Sequence, residues 1–346
     1  MKKVVHGGNI YQHNVLYDFS ANINPLGTPK SAIKAMKESL KNIGNYPDIR
    51  CTALVSELSK SEQLPLEYIY CGNGAAELIF SLVLALKPKK ALLQAPTFSE
   101  YEQALQTVDC KVRTVATAVN NFEINSSFLE SINKEIDIVF LCNPNNPTGL
   151  PINNNLLLQI VEKCKENNCY LVVDECFQNF LEHGNSLKSQ LSNYPNLLIL
   201  KAFTKMYALA GARLGYLLTS NMPLMEKIQM CTQPWNVSSV AQAAGVACLK
   251  EEGFVEKTVQ YVKKQRVFLI NNLKKLGLVV YNSQANYLFF KSEIDMYGEC
   301  LKRGILIRDC SNYPNLSKGY YRIAVRTSKE NRYLIKTITT ILEERT

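Results

Sequence analysis

The sequence predicts an α/β protein: a large domain with a mainly parallel sheet, followed by a smaller α+β domain. Two observations carry this. Short apolar runs alternate with amphipathic stretches over the first two thirds of the chain, the pattern of strands joined by helical crossovers. After residue 238 the pattern changes to a long helical stretch and then short strands. The runs at residues 91–95, 136–142, 170–174, 197–201 and 214–219 are apolar enough for strands covered on both faces. Between them, residues 75–86 and 154–166 place apolar side chains at helical spacing. Further on, 238–276 reads as helix, 287–291, 304–308 and 321–325 as short strands, and 330–344 as a final helix. The expected division is residues 1–44 packing with the small domain, 45–237 as the large domain and 238–346 as the small one. Gly- and Pro-rich turns follow the strand ends, where open parallel sheets bind ligands.

Composition narrows the function classes. A length of 346 residues suits about two domains. With 47% hydrophobic and 20% charged residues, the chain is neither collagen-like nor largely disordered. The longest nearly apolar stretch, 78–86, is far short of the ~20 residues that span a bilayer. Two lysines near the start precede no apolar run, so no secretory signal is read there. A soluble, cytoplasmic protein with no membrane partner is expected. The net charge of +9 is scattered rather than striped, which argues against nucleic acid and suits a pocket for anionic ligands. Eleven cysteines and three histidines include no CxxC and no zinc-ligand spacing, so no metal is assigned. The cysteines read as small buried hydrophobes.

Four segments carry chemistry. In residues 201–216, KAFTKMYALAGARLGY, Lys205 leaves a strand and Arg213 follows eight residues later with small residues between. A lysine there can form an imine with an aldehyde, while Arg213 and the Thr204 hydroxyl can grip a phosphate. In CGNGAAE, residues 71–77, a helix opens at Ala75 and Ala76, and its free amides suit a phosphate. The loop NPNNPTG, 143–149, follows a buried strand and aims the Asn146 amide. Asp174 ends the very apolar run LVVD, where a carboxylate is costly without a cationic partner; a pyridinium nitrogen would be one.

Together these residues resemble the pyridoxal-phosphate enzymes of the aspartate aminotransferase fold, fold type I, class I and II. The resemblance spans essentially the whole chain. It implies a seven-stranded-type, mainly parallel sheet and pyridoxal 5'-phosphate as cofactor. Lys205 and Asp174 would be catalytic, Lys205 as the imine lysine and Asp174 as partner of the ring nitrogen. Asn146 would meet the ring's phenolic oxygen, and Phe98 would stack on the ring. Phe177 stands where aminotransferase relatives place a ring-contacting tyrosine. The amides of Ala75 and Ala76, with Thr204 and Arg213, would bind the phosphate. Tyr46, in NYPD, resembles the tyrosine that reaches the phosphate from the other subunit, so a homodimer with shared sites is implied.

Within the family, two branches are most similar: the threonine-phosphate decarboxylases of cobalamin biosynthesis and the histidinol-phosphate aminotransferases. The segments HGGN (6–9), DFSANINPLG (18–27), QPWNVS (233–238) and GILIRDCS (304–311) favour the first, as does YRIAVRT (321–327). The implied reaction is decarboxylation of L-threonine O-3-phosphate to (R)-1-aminopropan-2-yl phosphate, a lyase activity. Amino transfer to 2-oxoglutarate is the alternative, and a regulatory module that binds the cofactor without turnover the second. Arg322 resembles the carboxylate-binding arginine; His6, Asn9, Asn22 and Arg308 are candidates for the other substrate contacts. Ala202 departs from the pattern, standing where relatives carry a hydroxyl residue. Serine phosphate is a related substrate that the motifs do not separate, and Arg326 stands where aminotransferase relatives tend to have glycine.

Overall fold

The computed structural model describes residues 6–184 and 186–344. Its first strand, β1 (Tyr17–Asp18), pairs in parallel with Ile305–Leu306, near the other end of the sequence. Helix α1 (Lys30–Ser39) packs on a later helix, Ser239–Leu249.

The central sheet has seven strands. They are β2 (Ile69–Gly72), β3 (Lys90–Ala95), β4 (Lys111–Ala116), β5 (Ile138–Cys142), β6 (Tyr170–Asp174), β7 (Leu197–Ala202) and β8 (Gly215–Leu218). Their order is β2-β8-β7-β6-β5-β3-β4, and β8 alone runs against its neighbours. Side chains alternate between two cores. Leu171, Val173, Leu197 and Ile199 face one, whereas Val172, Leu198 and Leu200 face the other. Burial on both faces is why these strands read as unbroken apolar runs. The sequence reading missed β4, an edge strand whose Lys111, Arg113 and Thr114 are exposed and form no apolar run. It also missed β2, only four residues ending in glycine.

Helices α2 (Thr52–Glu62), α3 (Gly74–Leu86), α4 (Ser99–Gln106), α5 (Ser126–Glu130) and α6 (Asn154–Glu166) belong to this part, with the short α7 (Phe203–Met206) and α8 (Met222–Met230). The single helical stretch expected over 238–276 is two helices, α9 (Ser239–Leu249) and α10 (Phe254–Lys275). Gly253 separates them at φ 70°, a left-handed conformation that side chains other than glycine disfavour.

A four-stranded antiparallel sheet follows, made of β9 (Val279–Val280), β10 (Tyr287–Lys291), β12 (Arg308–Asp309) and β13 (Tyr320–Ala324), in the order β12-β13-β10-β9. The run expected as one strand at 304–308 is divided. Its first half, β11 (Ile305–Leu306), pairs with β1, and its second half joins β13. Helices α11 (Met296–Lys302) and α12 (Ser328–Glu343) complete the element order. Helix α12 starts two residues before the predicted start because Thr327 and Glu330 form a reciprocal capping box. Arg326 belongs to that cap, donating to Glu330 at 2.9 Å. Among the described residues no helix is long and apolar enough to cross a membrane.

One buried ionic cluster ties helix to sheet. Glu62 ends α2 and accepts from Lys201 Nζ at 2.6 Å, Tyr216 Oη at 2.6 Å and Lys188 Nζ at 3.0 Å. Burial alone would raise the Glu62 carboxyl, but Lys201 and the hydrogen bonds outweigh it and hold the group at about 2. A carboxylate depressed on folding stabilises above its unfolded value, ~4.3, and that contribution is lost as pH falls toward 2. Glu62→Gln leaves the buried Lys201 without its counter-charge. It should cost ~3–5 kcal/mol at pH 7, measured by urea denaturation. The gap to the wild type should close as the pH is lowered through the carboxylate range.

Candidate active site

A cavity of about 380 Å³ opens beside the ends of β5, β6 and β7 and reaches Arg308 and Arg322 of the small sheet. Asp174 ends β6, and Lys205 lies in α7 directly after β7. Ala75 and Ala76 are in the first turn of α3. The cavity is lined by these residues and by Phe98, Asn146, Phe177, Thr204 and Arg213.

One wall of the cavity is a cup of donors. Helix α3 has no side-chain N-cap, so its first amides are open to an anion. Arg213 is held at φ 58°, with Nη1 donating to Ala210 O at 3.1 Å. A Cβ on Gly74 would lie 2.6 Å from Arg213 Nη2, and one on Gly215 would lie 2.6 Å from Ala75 N. Glycine at both positions is what lets the guanidinium and β8 close against the helix start. Amides, guanidinium and the Thr204 hydroxyl thus converge where a phosphate dianion fits.

Asp174 is buried at 4% exposure. It accepts from Tyr101 Oη at 2.6 Å and from the Cys176 amide at 2.9 Å. Among the described residues no Lys, Arg or His forms an ion pair with it within 4.0 Å. A buried carboxylate facing a cavity on these terms suits a cationic ring nitrogen. Burial, then the Asp174 charge, pushes the Cys142 and Cys176 thiols up, so both stay protonated. Burial, followed by repulsion from Arg322 and Arg213, lowers Lys205 to about 8. Its Nζ sits 5.7 Å from the centroid of the Phe177 ring. A donor cup for phosphate, an uncompensated carboxylate and an amine poised to lose its proton match the three functional ends of pyridoxal phosphate.

On the far side, Arg322 Nη1 donates to Asn146 Oδ1, and Nη2 donates to Ser20 O at 2.7 Å. The Arg322 Nε–H is buried with no partner among the described residues. Tyr313 Oη also approaches Asn146 Oδ1, at 3.4 Å, leaving the Asn146 amide nitrogen as the donor for a bound group. Arg308 stands directly opposite Arg322 in the β12–β13 register. Its guanidinium lies 5.3 Å from the Tyr313 ring and donates to Asn312 Oδ1 at 2.7 Å. Asn22 is buried in the lining with Oδ1 unpartnered, and His6 borders the cavity, paired with Glu100.

Two expected site residues lie outside this cavity. Asn9 is exposed, donates to Gln12 Oε1 at 2.7 Å and borders an adjoining cleft that shares His6 and Arg308 with the main cavity. Tyr46 is 79% exposed and stacks on Trp235, with ring centroids 4.5 Å apart. Conversely, Ser20, Glu100, Cys142 and Tyr313 line the cavity and went unassigned. Ser20 stood inside a motif already singled out; Glu100, Tyr313 and Cys142 had no distinguishing pattern.

The lowered Lys205 value gives a direct test. In cofactor-free protein, Lys205 should react with acetic anhydride half-maximally near pH 8, well below the pH at which exposed lysines react. Mass spectrometry of competitive labelling would show this. Reaction only above pH 10 would contradict the described environment.

Residues 14–338 match the family model described as aminotransferase class I and II. The threonine-phosphate decarboxylase of Salmonella typhimurium is 36% identical, over 97% of this chain and 96% of that protein. A histidinol-phosphate aminotransferase of Thermoanaerobacter pseudethanolicus is 32% identical, over 94% and 93%. The crystal structure of the histidinol-phosphate aminotransferase from Clostridium acetobutylicum superposes with a TM-score of 0.89 at 31% identity, covering 95% of this chain and all of that one. On the matched length, the sheet and the site together, the chain belongs to the class I and II aminotransferase family, with the fold of the pyridoxal-phosphate enzymes of fold type I.

Proposed function

We propose that the chain is a pyridoxal-phosphate-dependent lyase that decarboxylates L-threonine O-3-phosphate to (R)-1-aminopropan-2-yl phosphate, a step of cobalamin biosynthesis. The observation that carries this reading is the pair Arg308 and Arg322, both nearly buried and directly opposed across β12 and β13. Like charges so placed repel. An anionic ligand relieves that repulsion, and a phosphorylated amino acid brings two anionic groups.

The chain's own residues then have separable tasks. Ala75, Ala76, Thr204 and Arg213 hold the cofactor phosphate, while Phe98 and Phe177 border the ring. Asp174, fixed by Tyr101 and the Cys176 amide, holds a proton on the ring nitrogen. When bound, the cofactor supplies an electron sink for the bond broken at Cα. Lys205, its Nζ lowered to about 8, would hold the cofactor aldehyde and could carry a proton to or from Cα. Arg322 takes the substrate carboxylate with its planar fork, and Arg308, His6 and Asn22 take the substrate phosphate. Fixing both ends decides which Cα bond stands perpendicular to the ring, and hence which bond breaks. With the Cα–carboxylate bond so placed the enzyme is a decarboxylase; with Cα–H there it is an aminotransferase.

The exposed Leu40, Ile43, Tyr46, Ile49 and Trp235 support a homodimer in which Tyr46 serves the partner's phosphate cup. Such a cluster is unusual on a lone subunit, and sedimentation velocity should give a dimer. Holoenzyme given threonine phosphate should release CO2. Holoenzyme given histidinol phosphate and 2-oxoglutarate should form little glutamate; the reverse result makes it an aminotransferase. Asp174→Ala should lower turnover by the ~3–4 kcal/mol scale of a lost electrostatic stabiliser, while Arg322→Lys should weaken substrate binding because an ammonium cannot copy the fork.

A further inference from the structure

The segment before β1 crosses the cavity and is fastened at three successive residues. His6 Nδ1 lies 3.0 Å from Glu100 Oε1. Gly7 packs so closely that a Cβ there would lie 2.3 Å from Ser20 O and 3.4 Å from Arg322 Nη2. The Gly8 amide donates to Ser20 Oγ at 2.7 Å. The segment therefore rests on the same Ser20 carbonyl that receives Arg322, and any side chain at position 7 would lift it. Of the three fastenings, the first joins the segment to the large sheet's side of the cavity, through α4. The substrate roles above give Glu100 nothing to do, although it is nearly buried and lines the cavity.

We propose that Glu100 is a positioning residue for substrate recognition: it holds His6 by Nδ1, presents Nε2 to the substrate's phosphate, and latches the N-terminal segment over the cavity. This rests on the proposed phosphorylated substrate. Once Nδ1 is committed to the carboxylate, the imidazole has one nitrogen left for the ligand, and its direction is set. A ring donating Nδ1–H to a carboxylate and Nε2–H to a phosphate oxygen carries both protons, and Glu100 supplies the counter-charge that such a ring needs. Ser99 Oγ, 3.1 Å from Glu100 Oε2, steadies the other carboxylate oxygen. Burial holds the Glu100 carboxyl above its ordinary value against the pull of His6 and Lys205, so the group is costly to keep there without a partner. An acidic residue in the first turn of α4 also favours the helix on its own account. The test must therefore separate the latch from plain helix stability.

The variants are Glu100→Leu, Glu100→Gln, His6→Ala and the double variant Glu100→Leu/His6→Ala, all as holoenzyme with threonine phosphate. Glu100→Leu should raise KM at least about 10-fold, the scale of a lost hydrogen bond to a charged group, with kcat changed less than about 3-fold. Glu100→Gln keeps an acceptor for Nδ1 and should recover part of the affinity. Because Glu100 acts through His6, the double variant should be no worse than His6→Ala alone. Additive losses, an unchanged KM, or a fall in kcat without a change in KM would overturn the proposal. Hydrogen exchange gives a readout independent of turnover: amides of residues 7–13 should exchange faster in Glu100→Leu than in the wild type. Equal exchange overturns the latch. If neither threonine phosphate nor histidinol phosphate is turned over, the functional reading fails, and the exchange comparison alone decides the latch.

Discussion

A carboxylate buried at the end of an apolar strand is the constraint around which this site is organised. β6 is covered on both faces, so Asp174 emerges almost wholly buried, with only the cavity beside it. Its two donors, Tyr101 and the Cys176 amide, satisfy its oxygens but leave its charge standing. That charge holds the neighbouring thiols protonated and partly offsets the repulsion that Lys205 feels from two arginines. The same strand ends also fix distances. β7 leads into the helix that carries Lys205 and β8 begins just after Arg213, both on the same side of β6 in the sheet, and the Glu62 cluster ties those two strands to α2. The catalytic groups are thus held by strands that cannot shift without breaking two cores.

Much of this was legible in the sequence, for identifiable reasons. Strands β5, β6 and β7 are buried on both faces and announce themselves as apolar runs. Asp174 and Lys205 stand at or just past strand ends and Arg213 just before a strand begins, where a polar residue bordering such a run is conspicuous. Gly74 and Gly215 are needed for close approach, so the segments containing them were distinctive before their contacts were known. The edge strand β4 was hidden because an exposed face needs no apolar residues. The divided strand at 304–308 was hidden because neither half is long enough to show which partner it takes. Tyr313 and Glu100 illustrate a different limit. Their places depend on segments meeting across the fold, and nothing local in the sequence encodes such a meeting.

The substrate side follows a different rule from the cofactor side. Around the cofactor cavity, the residues come from the strands of the large sheet, the helix starts beside it and the loops between them. Around the substrate, His6, Ser20 and Asn22 come from the start of the chain, and Arg308 and Arg322 from near its end. Arg322 is the hinge between the two sets, donating to Asn146 on one side and Ser20 on the other. Its geometry therefore ties the first segment of the chain to the loop that carries Asn146. The two walls of the cavity are thus assembled from different stretches of chain.

The pairing of β1 with β11 has a consequence for how the protein is born. Almost the whole chain separates these two strands, so their contact is about as non-local as a single polypeptide allows, and closing so long a loop is slow. During synthesis the cofactor cup, whose residues lie between positions 75 and 213, is free to form while the small sheet is still in the ribosome. The arginine wall of the cavity must wait for β11 to β13, because Arg308 and Arg322 follow every residue of the cofactor cup in the chain. A nascent chain can therefore form its own side of the cofactor cup before Arg308 and Arg322 are in place.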